Sequence, residues 1–216
     1  MYGRIPYYFN GKYYLLNKCM ISDNLYIGVR LTPCDKFNVD LMAILLAGEN
    51  TLVDEADFVF YNSKNRTIKF DPNIFKNRRV WMNTTSIMSE DGSIILHQDF
   101  PVENEDMYLL SDSDLIQANL KQTAKYIDKV AICLSIYDDG RSLNDVKDAE
   151  LIFYRYPTDE IILRKAIKIS PSFDKFMVMG HFYRINNDEW EYADECKTYP
   201  TVVEYLDTLN ISKDFN

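Results

Sequence analysis

Asn38 and Asp40 are the residues whose type and spacing most directly point to chemistry. They open an apolar run, Val39–Leu46, that is bounded downstream by Ala47-Gly48-Glu49-Asn50. A run this short, closed by Gly and Asn, reads as a β-strand ending in a tight connection. Strand side chains alternate, so Asn38, Asp40, Met42, Ile44 and Leu46 share one face and Val39, Leu41, Ala43 and Leu45 the other. The first of these faces begins with two oxygen-bearing side chains and is wholly apolar after them. Two oxygens at the mouth of a core suit a hard cation, although one strand supplies only part of a calcium shell.

Other chemistries find fewer residues to work with. The chain has two histidines, His97 and His181, and neither lies in a recognisable metal or nucleophile motif. His97 shares a strand face with Asp99, which could orient an imidazole, but no nucleophile accompanies them. His181 lies in an apolar run and reads as a packed core residue. There is no phosphate-binding Gly-rich loop ending in Lys-Ser/Thr and no Gly-x-Ser-x-Gly elbow. Asp112-x-Asp114 does not open a calcium loop of the helix–loop–helix type. Its sixth position is Gln117 where Gly is needed, and its twelfth is Thr123 where Glu is needed. The residues therefore argue for binding and not for catalysis.

The elements that must position these side chains follow from the pattern along the chain. Tyr7–Phe9 and Tyr13–Leu16 flank Asn10-Gly11, a strong hairpin signal. Further strands are expected at 25–31, 58–61, 94–96, 115–120, 129–137, 151–156, 160–169 and 176–185. The run Val130–Ile136 is apolar on both faces, as a central strand of a sandwich should be. Ser142-x-x-Asp145 is a capping-box-like pair opening a short helix. Pro200 sits near the start of a closing helix with Val202, Val203, Leu206 and Leu209 on one face.

Composition bounds the class. A chain of 216 residues that is 47% hydrophobic and 14% aromatic can bury a substantial core. Its formal net charge of −9 argues against a general nucleic-acid surface and suits solubility or cation binding. The start, MYGRIPYYFNGKYY, lacks the apolar stretch of a signal peptide, and no apolar run approaches a membrane span. Cys19, Cys34, Cys133 and Cys196 are far apart with no Cys-x-x-Cys pair, which fits reduced thiols in a cytoplasmic protein. One segment departs from the acidic balance. From Ser63 to Ile87, Lys64, Arg66, Lys69, Lys76, Arg78 and Arg79 face a single acid, Asp71, with Phe75 and Trp81 interleaved. This could dock an acidic partner through Arg78, Arg79 and Trp81, or nucleic acid; the alternative is a solvated extra hairpin.

Several segments, in order, resemble the TerD family of bacterial tellurium-resistance and general stress proteins. FNVDLMAILLAGENTLVDEADFVFYN resembles the family's Phe-Asp-Leu-Asp-Ala-Ser strand and its Ala-Asp-Phe-Val-Phe-Tyr-Asn segment. Asp40 matches the second aspartate of that strand, Asn38 replaces the first, and Leu41-Met42 replace the small pair. Asp91-Gly92-Ser93-Ile94 is similar to the family's Asp-Gly-Ser-Val, which places Asp99 on the aspartate of a following Gly-Asp-Asn motif. Ser111–Asp114 falls on the family's Gly-Asp-Asp-Glu, so Asp112 and Asp114 match acidic positions in a loop that here has no glycine. KVAICLSIYDD, GRSLNDVKDA and MVMGHFYRINNDEWEYA resemble three later family segments.

The resemblance implies one mainly-β domain over 1–216, a two-sheet β-sandwich with one or two short helices, including one at the C-terminus. The basic segment at about 63–88 would be an insertion. It also implies a cytoplasmic stress-response module that binds calcium, and partner proteins, without catalysis. The implied calcium ligands are Asn38, Asp40, Asp99, Asp112 and Asp114. Carboxylates gathered without a cation would repel one another, and binding would add to stability.

Overall fold

The computed structural model describes residues 7–9, 12–15, 25–33, 39–63, 67–68, 86–100, 113–155, 160–170, 172–186 and 189–212. The first half forms β1 (Tyr7–Phe9), β2 (Lys12–Leu15), β3 (Leu25–Pro33) and β4 (Val39–Ala47). Short pieces follow: β5 (Thr51–Leu52), β6 (Phe58–Val59), β7 (Thr67–Ile68) and β8 (Ser86–Met88). The second half holds β9 (Ile94–Phe100), β10 (Ser113–Ala118), β11 (Ile127–Ile136), β12 (Val146–Arg155) and β13 (Glu160–Ile167). It closes with β14 (Phe176–Arg184), β15 (Trp190–Tyr199), the helix α1 (Val202–Leu206) and β16 (Asn210–Ile211).

β1 and β2 pair with each other, and two seven-stranded sheets carry the rest. Sheet I runs β13-β12-β3-β10-β9-β8-β7; sheet II runs β15-β14-β11-β4-β5-β16, with β6 also on β4. Apart from the parallel β5–β16 contact, the pairings are antiparallel, so a single face of each strand can be committed to the space between the sheets. That space is filled from sheet I by Ile27, Leu96, Ile116, Leu151 and Phe153, and from sheet II by Leu41, Leu45, Ile132, Met179 and Phe182. The mainly-β sandwich expected from the sequence is therefore the observed fold.

Sheet II is buried on its other face as well. Met42, Ile44, Leu46, Cys133, Phe176 and Val178 form a second core, capped by Tyr205 of α1 and by Leu52. This explains why Val130–Ile136 is apolar on both faces, with Ser135 the one polar residue in it: β11 is central and covered on both sides. The capping box is present, with Ser142 and Asp145 exchanging hydrogen bonds around the turn of 3-10 helix at Leu143–Asp145.

Some boundaries differ from the expectation. The strand expected at 58–61 is only Phe58–Val59, because Ser63 Oγ takes the Phe58 carbonyl and the Phe60 N–H and turns the chain there. The closing helix spans only Val202–Leu206, too short to hold four apolar residues on one stripe. Val202, Leu206 and Leu209 pack on the second core, while Val203 is 58% exposed and Tyr205 takes the buried position. After β4, positive φ falls on Glu49 (58°) and Asn50 (57°) and not on Gly48.

Candidate functional site

The rim where β4 begins is assembled from three strands. Asp40 sits second in β4, opposite Ser135 near the end of β11. Ser113 at the start of β10 pairs with Phe100 at the end of β9, and Leu115 with His97. That register sets the backbone of Asp99 alongside the Ser113–Leu115 stretch. Sheet I is tied to sheet II here by a hydrogen bond: Asp114 Oδ2 accepts from the Leu41 backbone N–H at 3.0 Å. The start of β10 is thereby held against the start of β4, although the two residues are 73 apart in sequence.

The two described aspartates approach β4 from different sides. Asp114 is 4% exposed and shares a strand face with Ile116 and Ala118, which line the space between the sheets. Asp40 is half-buried and shares its face with Met42, on the outer side of sheet II. There it lies close enough to Tyr137 for its charge to act on the phenol. Burial first, then the neighbouring Tyr61 and Asp40, push Tyr137 up to about 12 against the opposing effect of a Ser135 hydrogen bond. Tyr61 packs edge-on against Tyr137, with ring centroids 4.9 Å apart.

Asn38 and Asp112 lie outside the described residues, as does the Asp99 side chain. Arg78, Arg79 and Trp81 of the basic segment do as well. The segment's described ends pair as a hairpin, Thr67 with Ile87 and Ile68 with Ser86, and extend sheet I beyond β9. Calcium takes six to eight oxygens. Among the described residues no group of three or more His, Cys, Asp or Glu is disposed to hold a metal ion. Asp40 and Asp114 alone do not make a calcium shell.

The histidines have structural partners. Ser86 Oγ lies 2.8 Å from His97 Nδ1 and Gln117 Oε1 lies 3.3 Å from Nε2, so the ring donates to Gln117 and accepts from Ser86. Burial lowers His97 to about 4, only partly offset by Gln117. His181 is 2% exposed, with Glu195 Oε2 2.8 Å from its Nδ1 but off the line of a well-aligned hydrogen bond. Cys133 is free and wholly buried, and burial pushes its thiol well up. Cys196 is also a free thiol.

Two clasps escaped the sequence reading. Arg184 donates Nε to Ile127 O at 2.8 Å and Nη2 to Thr123 O and Ala124 O at 2.9 Å, with its guanidinium 4.4 Å over Trp190. Asp91 accepts from Ala124 N, Ser93 N and Ser89 Oγ. Half-burial pushes its carboxyl up, yet these donors together hold it below the usual range. The only local sign of either was the Asp-Gly turn with its flanking serines; Ala124 lies 33 residues from Asp91, and the carbonyls that Arg184 binds lie 57 to 61 residues from it.

Comparison with known proteins decides the family. The TerD domain matches residues 16–203. The chain belongs to the TerD family. Among solved structures, a homologue of telluride resistance protein TerD from Streptomyces coelicolor A3(2) superposes with a TM-score of 0.51 at 11% identity, covering 85% of this chain and 94% of that one. A second, a protein of unknown function, superposes at 0.52 with 15% identity, covering 83% and 91%. These two likenesses speak for the TerD fold alone. No curated protein matches this TerD chain. No helix among its described residues is long and apolar enough to cross a membrane.

Proposed function

We propose that this TerD-family chain is a cytoplasmic, non-catalytic stress-response module of the tellurium-resistance type that binds calcium at the rim where β4 begins, and partner proteins elsewhere. The observation that carries the reading is strand register. β4, β9 and β10 bring the backbones of Asp40, Asp99 and Asp114 to one end of the sandwich. Asn38 precedes the first of these and Asp112 the last. A cation would offset the repulsion among such carboxylates, and oxygen donors from separate loops suit the loose geometry of calcium.

Calorimetric titration of calcium into chelator-stripped protein tests this. Binding should release or absorb heat with a defined stoichiometry and raise the melting temperature, and chelator should reverse the rise. At a hundred times Kd, calcium adds about 2.7 kcal/mol of stability. Asp40→Asn combined with Asp99→Asn should abolish both signals. Absence of heat and of any melting shift in the parent protein rejects the reading.

A second reading, a metal-free scaffold recruiting an acidic partner through residues 64–79, is favoured by the charge segregation of that segment. It has six basic residues against Asp71 in a chain of net charge −9. Calcium would then change nothing, while Arg78→Glu with Arg79→Glu would release the bound partner.

A further inference from the structure

Along one edge β4 pairs with β11 from Val39 to Ala47. Along the other, β6 reaches only Ala43 and Ile44, and β5 only Ala47. Among the described residues no strand therefore serves that second edge at the start of β4, where the Leu41 N–H points. Asp114 supplies the acceptor, with Oδ2 at 3.0 Å. A carboxyl only 4% exposed needs a hydrogen-bond donor, and a backbone N–H in a strand is a fixed one.

The approach is from inside the sandwich. Ile116 and Ala118, on the same face of β10, lie in the core between the sheets, and so does Leu41. Asp40, one residue earlier, shares the opposite face with Met42 of the outer core. The Asp114 side chain thus comes to β4 from the inner side, whereas the Asp40 side chain leaves the strand on the outer side.

We infer that Asp114 is a positioning residue, a latch between the sheets that fixes the start of β4 and so aims Asp40, and that it does not itself touch the ion. This deepens the calcium reading, on which its affinity readout rests. It also removes Asp114 from the ligand set that family resemblance implies. The latch needs an oxygen acceptor at position 114 and not a charge, whereas a ligand to calcium needs the charge.

Asp114→Asn and Asp114→Ala in the full chain separate the two roles, read by hydrogen exchange at the Leu41 amide and by calcium calorimetry. The Asn variant should keep Leu41 exchange and calcium affinity within about threefold of the parent. The Ala variant should exchange Leu41 at least about tenfold faster and bind calcium more weakly. The inference is overturned if Asp114→Asn loses about tenfold or more in affinity with Leu41 still protected, since Asp114 is then a ligand. It is equally overturned if Asp114→Ala leaves Leu41 protected. Should the parent take up no calcium, the calcium reading fails on its own account, and Leu41 exchange in the two variants still decides the latch.

Discussion

The hydroxyl of Tyr192 occupies the space that a side chain at Gly180 would need: a Cβ built there lies 2.3 Å from the oxygen. The same Cβ would meet the Ala193 carbonyl at 2.5 Å and the ring Cζ at 2.6 Å. β14 and β15 can pair at this point only because position 180 has no side chain. Gly180→Ala should cost about 1–3 kcal/mol, the range for overpacking, measured by urea unfolding. Tyr192 Oη is buried with no hydrogen-bond partner among the described residues, so Tyr192→Phe should be neutral or stabilising by about 1 kcal/mol. Combining the two should recover little, because the ring carbon and the carbonyl remain.

Acid should weaken the fold before the carboxylates titrate. His97, at about 4, is held well below the ordinary value near 6.5 by burial. Burial, with Lys129 also opposing protonation, lowers His181 despite Glu195. Between these values the unfolded chain binds protons that the folded chain refuses. Stability is therefore full above pH of about 6.5 and falls as pH drops towards 4, by up to about 3 kcal/mol for His97. Unfolding free energies at pH 7, 5.5 and 4.5 would show the slope, and His97→Gln should flatten it.

Arg184 should be intolerant of lysine. A planar guanidinium reaches three carbonyl oxygens and stacks on Trp190 together, a geometry that one ammonium cannot reproduce. Arg184→Ala should cost about 2–4 kcal/mol and Arg184→Lys nearly as much, by chemical denaturation. Amides of the 119–127 connection should lose protection against exchange in both variants.

Cys133 should behave as a small hydrophobe. It is wholly buried in the outer core, with a thiol kept protonated. Cys133→Ser should destabilise by about 1–3 kcal/mol, because a hydroxyl there needs a partner that the apolar layer does not supply. Alkylation mapped by mass spectrometry should leave Cys133 unmodified until the protein unfolds.

Local pattern made much of this fold legible. Alternation placed Met42 and Ile44 on one face of β4 and Leu41 and Leu45 on the other, and the two cores confirm the split. Asn10-Gly11 marked the β1–β2 hairpin, and Ser142-x-x-Asp145 marked the capped turn. The site was less legible, because its joining contact is non-local. Nothing near Asp114 announces Leu41, and nothing near Arg184 announces the carbonyls 57 to 61 residues away. His181 meets Glu195 only because the β14–β15 register slips between Val178–Lys197 and Gly180–Asp194. Such an irregularity has no sequence period to betray it. Val203 was misplaced because a helical stripe was extended over more turns than α1 possesses.

β11 is a partition shared by two rooms. Ile132 belongs to the space between the sheets, and Cys133, the next residue, to the layer beneath α1. Stripping away the helix and the 51–60 segment would wet one side of the strand that the opposite sheet leans on. The two layers cannot come apart in separate steps, so heating should give a single transition in which the small outer layer and the large inner one are lost together.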